Sequence, residues 1–364
     1  MVYSHLRSGL SVLLLLACSF ATAAAEGQKI THVAQGPWSK QKAWAWYKGL
    51  RPIRGCNYLP RTAVNDTEMW QAETFDPKTI DQELGWAQQA GYDSLRVFLQ
   101  YLVWEHEPGG FKKRMGEFLA LARGHGMTVM FVLFDDCAFA GKEPYLGKQD
   151  DPVPGVHNSG WVPSPGHIRV VDKRYWPNLQ DYVKDLLGSF GRDPRVLAWD
   201  LYNEPGNNHM GDKSLPLLAN VFVWARQAAP TQPLTVGFWP SEAKDLDETA
   251  CEQSDVITFH NYSIAQSLES TIKELSRYRK PLICTEWLRR PVGCTFAAIL
   301  PVFAKDDVGW YNWGLVAGRT QTYLDWRSKK GDPMPKIWQH DIFHPDGTPY
   351  NPAEITLIRN WKPE

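Results

Sequence analysis

From about residue 51 onward, short apolar runs alternate with amphipathic stretches in a regular rhythm. Unbroken apolar runs predict strands buried on both faces of a parallel sheet. Apolar positions three or four residues apart predict helices. Residues 51–58 form the first predicted strand. Asp76 then offers an N-cap and Pro77 an N1 residue to a helix that lines Ile80, Leu84 and Ala87 along one face and stops at Gly91. Residues 92–98 predict the next strand. Phe111, Met115, Phe118, Leu119 and Ala122 recur at helical spacing before Gly124 and Gly126, and residues 127–134 follow as a nearly unbroken apolar strand.

The rhythm pauses over residues 135–173, which are rich in Pro, Gly, Asp and Asn and too long for an ordinary connection. His157, Asn158, Trp161 and the turn Pro163-Ser164-Pro165-Gly166 predict an ordered loop over one end of the sheet. Alternation resumes with helix 174–190, strand 195–202, helix 215–229 and strand 233–239. Strands 255–262, 281–287 and 308–315 follow, with helices 264–278 and 295–304 between them and a closing helix at 352–361. Eight strands, each followed by a helix or a long loop, predict an α/β fold, a closed (β/α)8 TIM barrel with a long β3–α3 loop. A doubly wound nucleotide-binding sheet fits less well, because no Gly-rich turn follows the first strand. Without a linker-like composition or an internal repeat, residues 26–364 read as one domain.

Composition narrows the function. The 39 basic and 40 acidic residues leave a net charge of −1 with no sustained basic run, which argues against nucleic acid as the main partner. The 17 tryptophans suit both core packing and stacking on sugar rings, and their number does not separate the two. Residues 1–25 resemble an export signal: His5 and Arg7 precede the apolar run 10–17, and Ala21-Thr22-Ala23 and Ala24-Ala25 supply small residues for cleavage. The alternative is a lipobox, Leu15-Leu16-Ala17-Cys18, with Cys18 lipidated. Either way the chain is expected to be exported, to the periplasm or the medium, and no other segment has the length and apolarity of a transmembrane helix. The remaining cysteines, Cys56, Cys137, Cys251, Cys284 and Cys294, are odd in number, so at least one is unpaired unless it bridges two molecules. No Cys/His cluster has zinc spacing, so no metal or other cofactor is expected.

The chemistry is concentrated in two strand ends. Trp199-Asp200-Leu201-Tyr202-Asn203-Glu204-Pro205 closes the fourth predicted strand, and Cys284-Thr285-Glu286-Trp287 closes the seventh. In a parallel barrel both glutamates reach the same mouth. Pro205 disfavours helical geometry at Glu204, so the chain turns where a carboxyl group has to project. Strand-end glutamates alone often cap helices or pair with arginines. Two at opposed barrel positions, with Asn, Pro and Trp beside them, point to paired carboxyl catalysis of glycosidic cleavage.

On these motifs the chain resembles glycoside hydrolase family 5 and its clan relatives, retaining β-glycosidases built on eight-stranded α/β barrels. The resemblance spans roughly residues 51–315. It implies that Glu204 is the acid/base and Glu286 the nucleophile. It also implies a set of substrate-site residues. Asn203 corresponds to the amide that contacts the sugar 2-hydroxyl, and Arg96 in Leu95-Arg96-Val97-Phe98 to the arginine that keeps the nucleophile ionised. His260 and Tyr262 match the His-x-Tyr of strand six, and Trp313 matches the tryptophan floor of strand eight. Asn57, at the end of strand one, is a further candidate that either contacts ligand or satisfies backbone groups. The chain departs from the family pattern in two places. Asp135-Asp136-Cys137 stands where a histidine is common, and Leu288-Arg289-Arg290 follows Trp287 where a glycine is frequent. The expected ligand is a β-linked oligo- or polysaccharide of cellulose, xylan or mannan type. A binding barrel without catalysis and a transglycosylase are the rival readings.

Overall fold

The computed structural model describes residues 36–50, 52–239 and 243–364. The proposed export signal, residues 1–25, lies outside them, as does Arg51 at the start of the first predicted strand. The described residues belong to one compact unit, Ala34–Glu364.

The strands are β1 (Arg54–Asn57), β2 (Ser94–Phe98), β3 (Thr128–Val132), β4 (Val196–Asn203), β5 (Leu234–Gly237), β6 (Ile257–His260), β7 (Leu282–Glu286) and β8 (Gly309–Asn312). Each lies within the stretch expected for it, apart from Asn203, which extends β4 by one residue. They form one parallel sheet in the order β5-β4-β3-β2-β1-β8-β7-β6. The remaining seam, between β5 and β6, is joined by a parallel bridge between Phe238 and Phe259, and His260 N donates to Phe238 O at 2.8 Å. The sheet is therefore a (β/α)8 barrel. Register places Asn57 beside Arg96, Asn203 beside Gly237 and His260 beside Glu286, all near the carboxyl ends of the strands.

Local rules explain the outer helices. In Pro77–Ala90 the Asp76 side chain accepts from Thr79 N, Pro77 occupies the first turn, and Gly91 terminates the helix at φ 97°. That left-handed geometry suits glycine, and a Cβ there would sit 3.0 Å from Arg359 Cα. Five helices of the described residues were not predicted from sequence: the short Asp66–Trp70, Tyr101–His106 and His167–Val171, and the longer Lys40–Lys48 and Lys244–Gln253. Lys40–Lys48 closes the amino-terminal end of the barrel, where Tyr47 accepts from Gly309 N at 2.7 Å and packs with Ile53, Met130 and Ile283. Lys244–Gln253 buries only Leu246, Ala250 and Cys251, too few apolar residues to stand out among its charges. No helix of the described residues is long and apolar enough to cross a membrane. All five cysteines of these residues are buried free thiols, so Cys56 and Cys284 pack as small hydrophobes.

Gly55 marks a tight point of the interior, since a Cβ there would fall 2.1 Å from the Tyr311 ring. Gly55→Ala is expected to displace Tyr311 and cost about 2–3 kcal/mol. A urea melt should show this as a lower midpoint with unchanged slope.

Candidate active site

The site is built around Arg96, which is fully buried in the barrel. Its Nε and Nη2 donate to Asp200 Oδ2 at 2.9 and 2.7 Å. Nη1 donates to Asn57 Oδ1 at 2.9 Å and to Glu286 Oε1 at 2.7 Å, and Nη2 also donates to Asn203 Oδ1 at 2.7 Å. Asp200 Oδ1 in turn accepts from Gly237 N at 2.9 Å. Glycine is needed there, because a Cβ would lie 2.7 Å from Arg96 Nη2 and 2.8 Å from Asp200 Oδ2. Asp200 was not singled out in the sequence, although it lies four residues before Glu204.

Two residues of the expected site, Arg96 and Asn57, are engaged by the protein itself, Arg96 directly against Glu286. Asn57 Nδ2 donates to the carbonyls of Thr285 and Asn312 at 2.8 and 3.2 Å, so its amide joins β1 to β7 and β8. Arg96 does not line the large cavity, and Asn57 lines only a neighbouring space of about 30 Å³ beside Trp161 and Trp313.

Glu204 and Glu286 meet at the mouth, with His260 between them. Glu204 adopts φ 43°, in the left-handed region that non-glycine residues avoid. Its amide donates to Gly237 O at 2.7 Å, which anchors the turn. Glu204 Oε1 is 2.7 Å from His260 Nδ1, and Oε2 accepts from Cys137 Sγ at 3.2 Å and from Asn207 Nδ2. Glu286 Oε2 accepts from the Tyr262 hydroxyl at 2.8 Å and lies 3.5 Å from His260 Nδ1. A carboxylate oxygen of each glutamate and a ring nitrogen of His260 fall within 4.8 Å of one another.

The environments of the two acids differ. Burial pushes Glu204 up, and Cys137, Asn207 and the more distant Arg96 pull it back. Burial also pushes Glu286 up, against the pull of His260, Arg96 and the Tyr262 hydroxyl. Only Glu286 touches a full cation, which favours its ionised form over that of Glu204. Burial lowers His260 to about 4, which leaves the ring neutral at ordinary pH. Its Nε2 has no partner among the described residues, so the ring proton belongs on Nδ1, facing both carboxyl groups. Two glutamates and a histidine at this spacing are also a possible metal set, one that linear spacing did not reveal. Arg96 against Glu286 opposes a second cation, and the arrangement fits proton transfer better.

The cavity above these groups measures about 640 Å³ and is lined by Asn203, Glu204, His260, Tyr262, Glu286 and Trp313 among others. The long loop after β3 folds back on itself: Asp135 and Ser164 exchange backbone hydrogen bonds at 2.6 and 3.0 Å. Trp161 Nε1 donates to Asp135 Oδ2 at 2.7 Å, which stands the indole beside Trp313 with ring centroids 6.0 Å apart. Asp136 is engaged by Tyr202 Oη and Gly206 N, both at 2.7 Å, and by Ser214, so it braces the turn that carries Glu204. Glu68 accepts from Val64 N at 2.7 Å and Trp70 is buried, which makes the first loop a packed one. The tryptophans divide as well: Trp70, Trp199, Trp287 and Trp310 are core, whereas Trp161, Trp239, Trp313 and Trp326 line the cavity.

Cys137, Asn207, Arg289, Trp326 and His340 were not identified as cavity residues from sequence. They come from loops, where no periodicity marks an inward side chain. One local signal existed: Leu288 takes φ 86°, where a glycine is at ease, and His340 Nδ1 lies 2.5 Å from its carbonyl oxygen.

No family model matches the chain, and no curated protein matches it by sequence. Solved structures do match. A GH5_18 protein from Streptomyces cattleya in complex with GlcNAc is 12% identical with a TM-score of 0.58, over 85% of this chain and 79% of that one. The endo-β-1,4-mannanase from Thermotoga petrophila is 18% identical with a TM-score of 0.54, over 85% and 76%. A glycoside hydrolase family 5 mannosidase from Rhizomucor miehei is 15% identical with a TM-score of 0.55, over 85% and 92%. The chain has the fold of these enzymes.

Arg96→Met would leave Asp200 and Glu286 uncompensated in the interior. The expected cost is about 3–5 kcal/mol at neutral pH. Losing the cation raises the folded-state pKa of Glu286 further, so the deficit should shrink as pH falls and that group protonates. Denaturant melts of the variant across pH test this.

Proposed function

We propose that this chain is an exported β-glycosidase that cleaves a β-linked glycan with retention of configuration. The observation that carries the reading is the approach of Glu204 and Glu286, with oxygens within 4.8 Å at one mouth and a cation against only one of them. Retaining enzymes hold their carboxyl groups about 5–5.5 Å apart, whereas inverting enzymes leave about 6.5–9.5 Å for a water molecule. The solved relatives named as mannanase and mannosidase support a β-linked substrate of mannan type. The sequence of residues 1–25 supports export.

In this mechanism the terminal or internal sugar lies on Trp313, and Glu286 attacks its anomeric carbon. Glu204 gives its proton to the departing glycosidic oxygen. A water molecule then loses a proton to Glu204 and attacks the same carbon, releasing Glu286. Arg96 and the Tyr262 hydroxyl hold Glu286 in its ionised form before attack and receive it as the leaving group afterwards. Asn203 Nδ2 donates to Asp135 Oδ1 at 2.8 Å and, more weakly, to Cys137 Sγ at 3.6 Å; a sugar 2-hydroxyl takes over the weaker of these two bonds.

Glu286→Ala is expected to reduce turnover of an aryl β-glycoside by at least about a thousandfold without unfolding the barrel. Added azide should restore cleavage and give a glycosyl azide of inverted configuration. Full activity of this variant overturns the assignment, and product analysis with a sugar acceptor separates hydrolysis from transfer. The alkaline limb of the pH profile belongs to Glu204. Asn207 stabilises its ionised form, so Asn207→Ala should raise its pKa and move that limb to higher pH. A limb that stays in place or falls would remove Glu204 from the acid role.

A further inference from the structure

We infer that the cavity is closed on the side of the retained sugar and admits only the end of a chain, so cleavage removes one sugar at a time from the non-reducing end. This rests on the glycosidase reading. Glu204 protonates the departing oxygen, so the leaving portion extends over Glu204 and the retained sugar lies over Trp313. Beyond Trp313 and Trp161 the cavity ends in a clasp between two loops far apart in sequence.

The clasp joins the loop after β3 to the segment after β8. Asn158 N donates to Thr320 O at 2.7 Å, and Gly155 N donates to Gln321 Oε1 at 2.9 Å. Gln321 Nε2 returns a hydrogen bond to Val153 O at 2.8 Å. His157 is held twice, by Leu324 O at Nδ1 (2.8 Å) and through its own amide by Ser328 Oγ (3.1 Å). Arg319 adds an outer link, with Nη2 3.2 Å from Asp151 Oδ1 and Nε 3.3 Å from Glu68 Oε2, so the first loop is tied in as well. An internal segment of a polysaccharide needs room for the next sugar on this side, and the space beside Trp161, Trp313 and Thr320 measures only about 30 Å³. The opposite rim, at Asn207, Asn261, Ser263 and Ser267, is partly or fully exposed, which leaves an exit for the departing portion.

The closed wall also presents a group that a terminal sugar would satisfy. Asn158 is 1% exposed, lines the cavity and is held at φ 45°, and its Oδ1 has no partner among the described residues. A buried acceptor without a donor is costly. A free hydroxyl on the far edge of the terminal ring supplies that donor, and in an internal sugar the linkage replaces such a hydroxyl. Closure and recognition therefore select the same chain end.

The test uses the purified full chain with 4-nitrophenyl β-mannoside, β-glucoside and β-N-acetylglucosaminide, and with matching β-1,4-linked oligosaccharides labelled at the reducing end. The expected result is release of single sugars from the first time point, with the label on a ladder that shortens by one unit. Products of two or more sugars released from the unlabelled end, or a rapid fall in the viscosity of a β-glycan, overturn the closed end while leaving the glycosidase reading intact. Absence of cleavage on every substrate overturns the glycosidase reading, and this inference with it. Asn158→Gly removes the acceptor and tolerates the backbone angle. It should lower kcat/KM on the aryl monoglycoside by about tenfold with little change in Tm. A 3- or 4-deoxy substrate should lose a similar factor in the parent enzyme and lose nothing more in the variant. An unchanged kcat/KM for Asn158→Gly, or equal losses on normal and both deoxy substrates, overturns the role of Asn158.

Discussion

A guanidinium in the middle of a dry barrel is tolerable only when every one of its donors is matched. Arg96 meets that condition: its five N–H groups make five hydrogen bonds, to Asp200 twice and to Asn57, Asn203 and Glu286 once each. Asp200 and Glu286 raise its hold on the proton against the effect of burial. These contacts, with the Asn57 and Gly237 bonds behind them, tie together side chains or amides from β1, β2, β4, β5, β7 and β8. One side chain thereby sets the height of both strand-end glutamates. The same contacts leave little freedom for Gly237, where a methyl group would strike the pair.

The asymmetry of the two acids follows from where that single cation sits. Glu286 has the guanidinium and a phenol; Glu204 has a neutral imidazole, an amide and a thiol. Cys137 belongs to the segment Asp135-Asp136-Cys137, which stands where a histidine is common in the resembling family. A thiol is a weak, neutral donor, so it orients Glu204 without stripping its proton as a cation would. His260, kept neutral by burial, contributes one hydrogen to the space between two groups of opposite need. The departure from the family pattern thus preserves the charge logic of the pair while changing the surface beside it.

All eight strands were legible because a parallel sheet covered on both faces needs continuous apolar runs, and those survive in a single sequence. Gly91 was legible for a similarly local reason, a helix stop that needs a positive φ. Helix Lys40–Lys48 was not, since its role depends on Tyr47 meeting Gly309, 262 residues later. The positions of Glu204, Glu286, His260 and Tyr262 could be placed from strand ends, whose direction the barrel dictates. Asn57 could be read two ways for the complementary reason: a strand-end amide faces either a ligand or a neighbouring carbonyl, and only the packing of β7 and β8 shows that its Nδ2 meets the carbonyls of Thr285 and Asn312. His340 and the clasp were invisible, because loops carry no period and their partners are remote in sequence: Leu288 lies 52 residues from His340, and Gln321 lies 166 from Gly155.

That division explains why fold similarity at 12–18% identity says little about the substrate. The barrel and the Arg96 cluster can persist while most outward residues change, since their demands are geometric and involve few side chains. The cavity walls have different origins. They come from the loop after β3, the segment after β8 and the Leu288–Arg289 turn, which is held by His340 and by Arg289 stacking over Trp326 at 4.4 Å. These segments close the barrel's mouth through mutual hydrogen bonds, not through the core. Selection for a different glycan could therefore rewrite the clasp with little effect on the barrel, whereas a change at Asp200 or Gly237 would alter both acids whatever the glycan. Specificity in this protein is carried by the loops, and reactivity by the buried ion cluster beneath them.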